Sequence, residues 1–265
     1  MTRPIALITG ASSGIGAVYA DRLAARGYDL ILVARDLERL RASANRLSEK
    51  HGVAAMPLPA DLGKPEDLER VAWRLREDSG IEFLVNSAGV AASGSVLASS
   101  EADLDRMVFL GVDVLHALTA AAAKAFSARG RGAIVNLASV VALMPEKFNG
   151  SYAAAKSFVL TLTQSLALEL DPKGVRIQAV LPGFTRTEIF ERAGVDSSGI
   201  PASMMMDADR MVDAALAGFD IGEIVTIPSL DDDGLWSSFD EARQALAPHL
   251  SRDKPAARYV PKAAE

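Results

Sequence analysis

The sequence contains no cysteine, which removes disulfides, thiolate nucleophiles and every cysteine-based zinc site at once. Histidine is scarce as well: His51, His116 and His249 lie far apart, no two at helical spacing, and read as surface or packing residues, so no metal is expected. There is no long basic run, and 28 Lys plus Arg against 34 Asp plus Glu give a formal charge of −6. That balance lacks the electrostatic footprint of a nucleic-acid binder. No uninterrupted apolar run reaches the ~18 residues of a membrane span, because Asp113 and Lys124 break the richest stretch. The opening residues show no signal-peptide cleavage pattern, so a cytoplasmic protein is expected. Internal repeats, low-complexity tracts and Gly/Ser linkers are also missing, which favours one domain over residues 1–265.

What is present is a 265-residue chain, 49% hydrophobic, with the composition of a folded globular protein. Short β-rich runs alternate with helical patterns. Strands are predicted at Ile5–Thr9, Tyr28–Ala34, Val53–Ala60, Ile81–Val85, Ala133–Leu137, Val175–Leu181 and Glu223–Ile227. Pro57 and Pro59 weaken the third. Helices are predicted at about 15–26, 37–50, 65–78, 101–129 and 151–170, the last stopped by Asp171-Pro172. Strands separated by helix-length segments imply right-handed crossovers and a seven-stranded parallel sheet with helices on both faces, an α/β doubly wound fold. A tail from about Ser251, rich in Pro, Ala and charge, is expected on the surface or on a partner subunit.

Two constellations carry chemistry. The first strand runs into Thr9-Gly10-Ala11-Ser12-Ser13-Gly14-Ile15-Gly16, where a helix begins. Glycines there permit a sharp turn and let a pyrophosphate approach the helix N-terminus, whose free N–H groups and dipole favour negative charge. The spacing is Gly-x3-Gly-x-Gly, not the general G-x-G-x-x-G fingerprint. The second constellation is Tyr152-Ala-Ala-Ala-Lys156. An i, i+4 spacing puts phenol and ammonium on one helix face, where the cation favours the phenolate. Ser139 follows the fifth strand, at the sheet edge where parallel α/β proteins hold their sites.

Together these segments resemble the short-chain dehydrogenase/reductase family. The resemblance covers about residues 4 to 230 and rests on Gly10/Gly14/Gly16, Asn86-Ser87-Ala88-Gly89, Ser139, Tyr152/Lys156 and Pro182-Gly183, in the family's order. It implies a Rossmann-like domain that transfers hydride between a nicotinamide cofactor and a carbonyl or alcohol. By the same resemblance Tyr152 is the general acid of reduction, Ser139 hydrogen-bonds the substrate oxygen, and Lys156 binds the nicotinamide ribose and lowers the Tyr152 pKa. Cofactor contacts are implied for Gly10, Ser12, Ser13, Gly14, Ile15, Gly16, Asp61, Leu62, Asn86, Ala88, Gly89, Tyr152, Lys156, Pro182, Gly183, Thr185 and Thr187.

The chain departs from the family pattern in two places. Ser87 replaces the second Asn of the Asn-Asn-Ala-Gly segment, and Gly111 stands where the family has a catalytic Asn that helps hold a water next to the Lys. Gly111 keeps only its backbone carbonyl for that task. At the end of the second strand, NAD-preferring relatives carry an Asp; here that position is Ala34, followed by Arg35, whose guanidinium suits a 2′-phosphate. NADP(H) is therefore the expected cofactor. A variable substrate loop is expected at about 184–206, where Phe184, Ile189, Phe190 and Met204-Met205-Met206, with Met144 and Phe148, offer an apolar lining for a ketone or aldehyde. The alternatives are a reductase of 3-oxoacyl thioesters, or a cofactor-binding sensor or scaffold impaired in turnover. The resemblance also implies a homodimer or homotetramer through the helices at 101–129 and 151–170.

Overall fold

A computed structural model describes residues 3–90, 94–188 and 198–260. The strands are near-continuous apolar runs because both of their faces are covered. They are β1 (Ile5–Thr9), β2 (Asp29–Ala34), β3 (Ala55–Pro59), β4 (Ile81–Asn86), β5 (Gly132–Leu137) and β6 (Val175–Val180), each within two residues of its predicted bounds. A two-residue strand, Val225–Thr226, is the seventh, so the predicted 223–227 shortens to its centre. All pair in parallel in the order β3, β2, β1, β4, β5, β6 and the Val225–Thr226 strand. The order reverses between β1 and β4, the switch point at which open α/β sheets bind ligands. β3 tolerates Pro57 and Pro59 because it is an edge strand.

Alternate residues divide the core. Ile8, Leu30, Leu32, Phe83, Val85 and Val135 pack on one side with Tyr19 and Leu23 of helix α1 (Gly14–Ala25) and Leu40 and Leu47 of α2 (Leu37–His51). Leu7, Ile31, Val33, Leu84 and Ile134 pack on the other, against Val71 and Leu75 of α3 (Pro65–Glu77) and the long helical region that follows β4. That region is α4 (Glu101–Val108), a π segment (Phe109–Val114) and α5 (Leu115–Arg129). By length and composition, Glu101–Arg129 is apolar enough to cross a membrane despite Asp113 and Lys124. Leu118, Ala122 and Phe126, at 0% exposure, instead pack in the second core, as in the core helix of a folded domain. Helix α6 (Gly150–Leu170) starts one residue before its predicted bound and covers the same side with Ala167 and Leu170.

Among the described residues, two further helices lie beyond the predicted ones. Helix α7 (Ala208–Asp220) buries Met211, Val212, Ala215, Leu216 and Phe219 in the first core. A two-stranded parallel pair, β7 (Thr185–Arg186) with β8 (Met206–Asp207), leads into it. The chain divides into two compact units, Met1–Pro228 and Ser229–Glu265. The second unit holds α8 (Asp233–Gln244), which precedes the tail expected from residue 251 and has no buried residue.

Candidate active site

The glycine turn after β1 is shaped by contacts that leave no space for side chains. Gly10 has φ 69° and a Cβ there would sit 2.9 Å from the Ser87 carbonyl oxygen; Gly14 has φ 53° and a Cβ there would meet Thr187 at 3.2 Å. Both conformations favour glycine. At Gly16 the exclusion is packing alone, because a Cβ would lie 2.4 Å from the Gly10 carbonyl oxygen. Ser13 is the N-cap of α1 yet its side chain makes no capping hydrogen bond, and Ser12, Ser13 and Ile15 are partly exposed around it. An uncapped helix N-terminus behind a cradle that a Cβ would fill suits a pyrophosphate.

Thr9 ties this turn to the segment after β4. Its Oγ1 accepts from the amides of Ser87 (3.0 Å) and Ala88 (3.1 Å) and donates to the Val85 carbonyl (3.3 Å). Sequence reasoning passed over Thr9, although a buried hydroxyl ending a strand is a signal for such a tie. Asn86, expected as a cofactor contact, is buried and hydrogen-bonded within the protein through its amide nitrogen. Its Nδ2 donates to Thr119 (3.0 Å) and Asn136 (2.9 Å), Thr119 donates to Asn136 (3.2 Å), and Asn136 Nδ2 donates to Thr163 (3.1 Å). The Nδ2 of Asn86 thus joins β4 and β5 to α5 and α6, while its Oδ1 is buried with no hydrogen-bond partner among the described residues. Ala88 is partly exposed and Gly89 exposed beyond it.

At the end of β2 the guanidinium of Arg35 is exposed and makes no ion pair among the described residues. Its acidic neighbours are engaged elsewhere: Asp36 caps α2 and pairs with Arg39, and Glu38 pairs with Arg41 at 2.9 Å. After β3, the Asp61 carboxylate accepts from the Gly63 amide at 3.1 Å, while the Leu62 side chain is buried in the second core and leaves its backbone at the edge. Pro182 and Gly183 follow β6; the Pro182 carbonyl accepts from Val140 N (3.1 Å) and from Ser139 Oγ (3.4 Å). Thr185 donates to the Gly183 carbonyl, and Thr187 lies against Gly14.

Ser139, Tyr152 and Lys156 converge as their spacing requires. Ser139 hydrogen-bonds the Tyr152 hydroxyl, and Lys156 Nζ lies 5.6 Å from the Tyr152 ring centroid. Lys156 Nζ donates to the Leu137 carbonyl at 2.8 Å. The electrostatics differ from expectation. Burial pushes the Tyr152 phenol up to about 12, the Ser139 hydrogen bond opposing this, and burial pushes Lys156 down to about 8. Burial is the largest cause in both groups, and the ammonium donates to the Leu137 carbonyl.

Gly111 lies in the π segment, and a Cβ there would meet the Ala155 Cβ at 3.2 Å. Ala155 stands one residue before Lys156, so Gly111 lets two helices close on each other beside the Tyr–Lys pair. On the substrate side, Phe148 and Phe184 meet edge to face with centroids 6.3 Å apart, and Phe148 and Met144 are 39% and 41% exposed. Met206 packs against the first core, whereas Met204 is exposed. Ile189 and Phe190 fall outside the described residues. No group of three or more metal-ligating side chains occurs among the described residues.

The short chain dehydrogenase family model matches residues 4–197. The chain is 50% identical, with a TM-score of 0.94, to a short-chain dehydrogenase from Sphingobium yanoikuyae solved in complex with NADPH, over 97% of this chain and 100% of that one. It is 44% identical, TM-score 0.90, to the bulky-bulky ketone specific alcohol dehydrogenase from Comamonas testosteroni, over 98% of this chain and 100% of that one. Among curated proteins it is 34% identical over 186 residues to dehydrogenase/reductase SDR family member 2, mitochondrial, from Homo sapiens, covering 69% of this chain and 66% of that protein.

Proposed function

For a chain that belongs to the short-chain dehydrogenase/reductase family, and is on that ground an oxidoreductase, we propose an NADP(H)-dependent reductase of ketones that carry bulky apolar groups. The observation that carries this reading is the convergence of Ser139, Tyr152 and Lys156, with the paired rings of Phe148 and Phe184 on the segments that flank α6 and follow β6. Hydride arriving at a carbonyl carbon builds negative charge on its oxygen. The Tyr152 phenol, protonated over the whole neutral range, gives that oxygen its proton, and the Ser139 hydroxyl donates a second hydrogen bond. Lys156, charged below about pH 8, stabilises the phenolate left behind.

The cofactor supplies the hydride when bound. The cradle of Gly10, Gly14 and Gly16 with the uncapped α1 would hold its pyrophosphate, and Arg35, which makes no ion pair among the described residues, would take the 2′-phosphate in a bidentate grip. Similarity to an NADPH-bound dehydrogenase and to a bulky-ketone alcohol dehydrogenase supports both halves of the proposal. A homo-oligomer belongs to the same reading: Leu168 on α6 and Val108 on α4 are 79% and 40% exposed on the helices expected to meet a second copy. The test is consumption of NADPH and NADH with an aryl ketone substituted by a long alkyl chain, with acetone and with a 3-oxoacyl thioester. NADPH-linked turnover strongest on the aryl ketone is expected. Preference for acetone or the thioester refutes the substrate class, and preference for NADH refutes the cofactor.

A further inference from the structure

The residue that caps α6 ties the helix carrying Tyr152 to the segment that follows β4. Asn149 is 5% exposed, and its carboxamide is engaged from both ends. Oδ1 accepts from the amides of Ser151 (3.0 Å) and Tyr152 (3.3 Å), capping the helix at the proposed proton donor itself. Nδ2 donates to the Gly94 carbonyl and to Ser99 Oγ, both at 3.3 Å, in the segment after β4. The same two segments touch again at the next residue, since a Cβ on Gly150 would lie 3.7 Å from Val96. The preceding residue, Phe148, meets Phe184.

We propose that Asn149 is a positioning residue, whose acceptor atom sets the Tyr152 end of α6 while its donor atom holds the 94–99 segment over the substrate side, so that proton donor and substrate wall are fixed by one side chain. The inference rests on the ketone-reductase reading only for its kinetic readout. A cap removed from the residue bearing the acid loosens the placement of that acid, and small displacements of a reacting group are costly. The donor arm touches no part of α6, so the two arms separate by substitution.

The test compares Asn149→Ala, which loses both arms, with Asn149→Asp, which keeps the acceptor and loses both donors. With NADPH and the aryl ketone, Asn149→Ala should lower kcat about tenfold and leave NADPH affinity within about twofold, because the glycine turn and Arg35 are untouched. Asn149→Asp should recover most of kcat and raise KM for the ketone several-fold. Backbone amide exchange supplies a readout independent of turnover: faster exchange at both 94–99 and 150–156 in Asn149→Ala, but only at 94–99 in Asn149→Asp. If Asn149→Ala does not fold, the exchange pattern and KM of Asn149→Asp decide. An alanine variant within twofold of wild-type kcat, or an aspartate variant that loosens 150–156, overturns the proposal. A wild-type protein that reduces no ketone refutes the function instead, and the exchange pattern still decides the role of Asn149.

Discussion

The edge of the sheet that faces β1 and β2 and the edge that faces α6 and the β7–β8 pair are built in different ways. On the β1 side, recognition is made from backbone: a turn closed by three glycines, a helix N-terminus without a side-chain cap, and one arginine left out of every ion pair among the described residues. The turn and the helix N-terminus share residues 10–16, and Arg35 follows the end of the neighbouring strand β2. On the α6 side the site is assembled from Ser139, Tyr152, Lys156, Phe148 and Phe184, contributed by a strand end, a helix and two loops. A backbone site tolerates almost no change at its glycines and accepts one ligand shape. A side-chain site keeps its catalytic centre while its walls vary.

The largest expected effect strikes the side-chain half. Tyr152→Phe removes one oxygen and leaves the ring in place, so turnover of the aryl ketone should fall by roughly 10²-fold or more with melting temperature and NADPH affinity nearly unchanged. Retained turnover would break the assignment of Tyr152 as acid. The next effect strikes the backbone half at the guanidinium of Arg35. Arg35→Ala should erase most of a preference for NADPH over NADH, a charge-assisted contact of about 1.5 to 3 kcal/mol, as read from the two dissociation constants. Equal constants in the unmodified protein would remove Arg35 from the site.

Protonation sharpens the comparison further, because the α6 side holds the two reacting groups, Tyr152 and Lys156, that burial shifts. Reduction needs a neutral Tyr152 and a charged Lys156. The phenol is held up to about 12 and the ammonium is pushed down to about 8, so the alkaline limb of kcat/KM should belong to Lys156 and fall about tenfold per pH unit above 8. Lys156→Arg, charged throughout, should remove that limb even if it lowers the plateau. The sign for stability is opposite. Because the folded Lys156 gives up its proton more readily than the unfolded chain does, its penalty is fully present below about pH 8 and relieved as pH rises toward about 10.4. A flat rate profile through pH 10 would show that deprotonation of Lys156 does not limit reduction.

The sheet was legible because apolar runs and their punctuation are local: the bounds of β1 are the predicted ones, and β2 to β6 shift by two residues or fewer. What was hidden depends on partners distant in sequence. Asn86 reads as a cofactor contact in a four-residue motif, and the sequence gives no sign that its Nδ2 also donates to Thr119 and Asn136, 33 and 50 residues away. The π segment was invisible because one extra residue per turn barely disturbs an alanine-rich helical pattern. Helix α7 was obscured by the expected substrate loop beside it, although Met211, Val212, Ala215, Leu216 and Phe219 recur at helical spacing. The pairing of Tyr152 with Lys156 was legible as geometry but not as electrostatics, since burial rather than the neighbouring cation sets both groups.

The smallest expected effect concerns Gly111, where the sequence alone suggests that an asparagine side chain is missing. The structure gives that side chain little space: a Cβ at Gly111 would lie 3.2 Å from the Ala155 Cβ, tighter than ordinary contact. Gly111→Asn should therefore leave turnover within a few-fold of wild type or below it, and lower stability by about 1 to 3 kcal/mol through overpacking. Gly111→Ala meets the same contact but gains about 0.5 to 1 kcal/mol of helix propensity, so its melting temperature should move less. Ala155→Gly removes the opposing methyl, and combined with Gly111→Asn it should restore part of the lost stability beyond the sum of the single changes, the mark of two residues in contact. If Gly111→Asn instead raises turnover at unchanged melting temperature, the side chain finds a place the glycine left open. Helix packing would then not be what put glycine beside the Tyr–Lys pair.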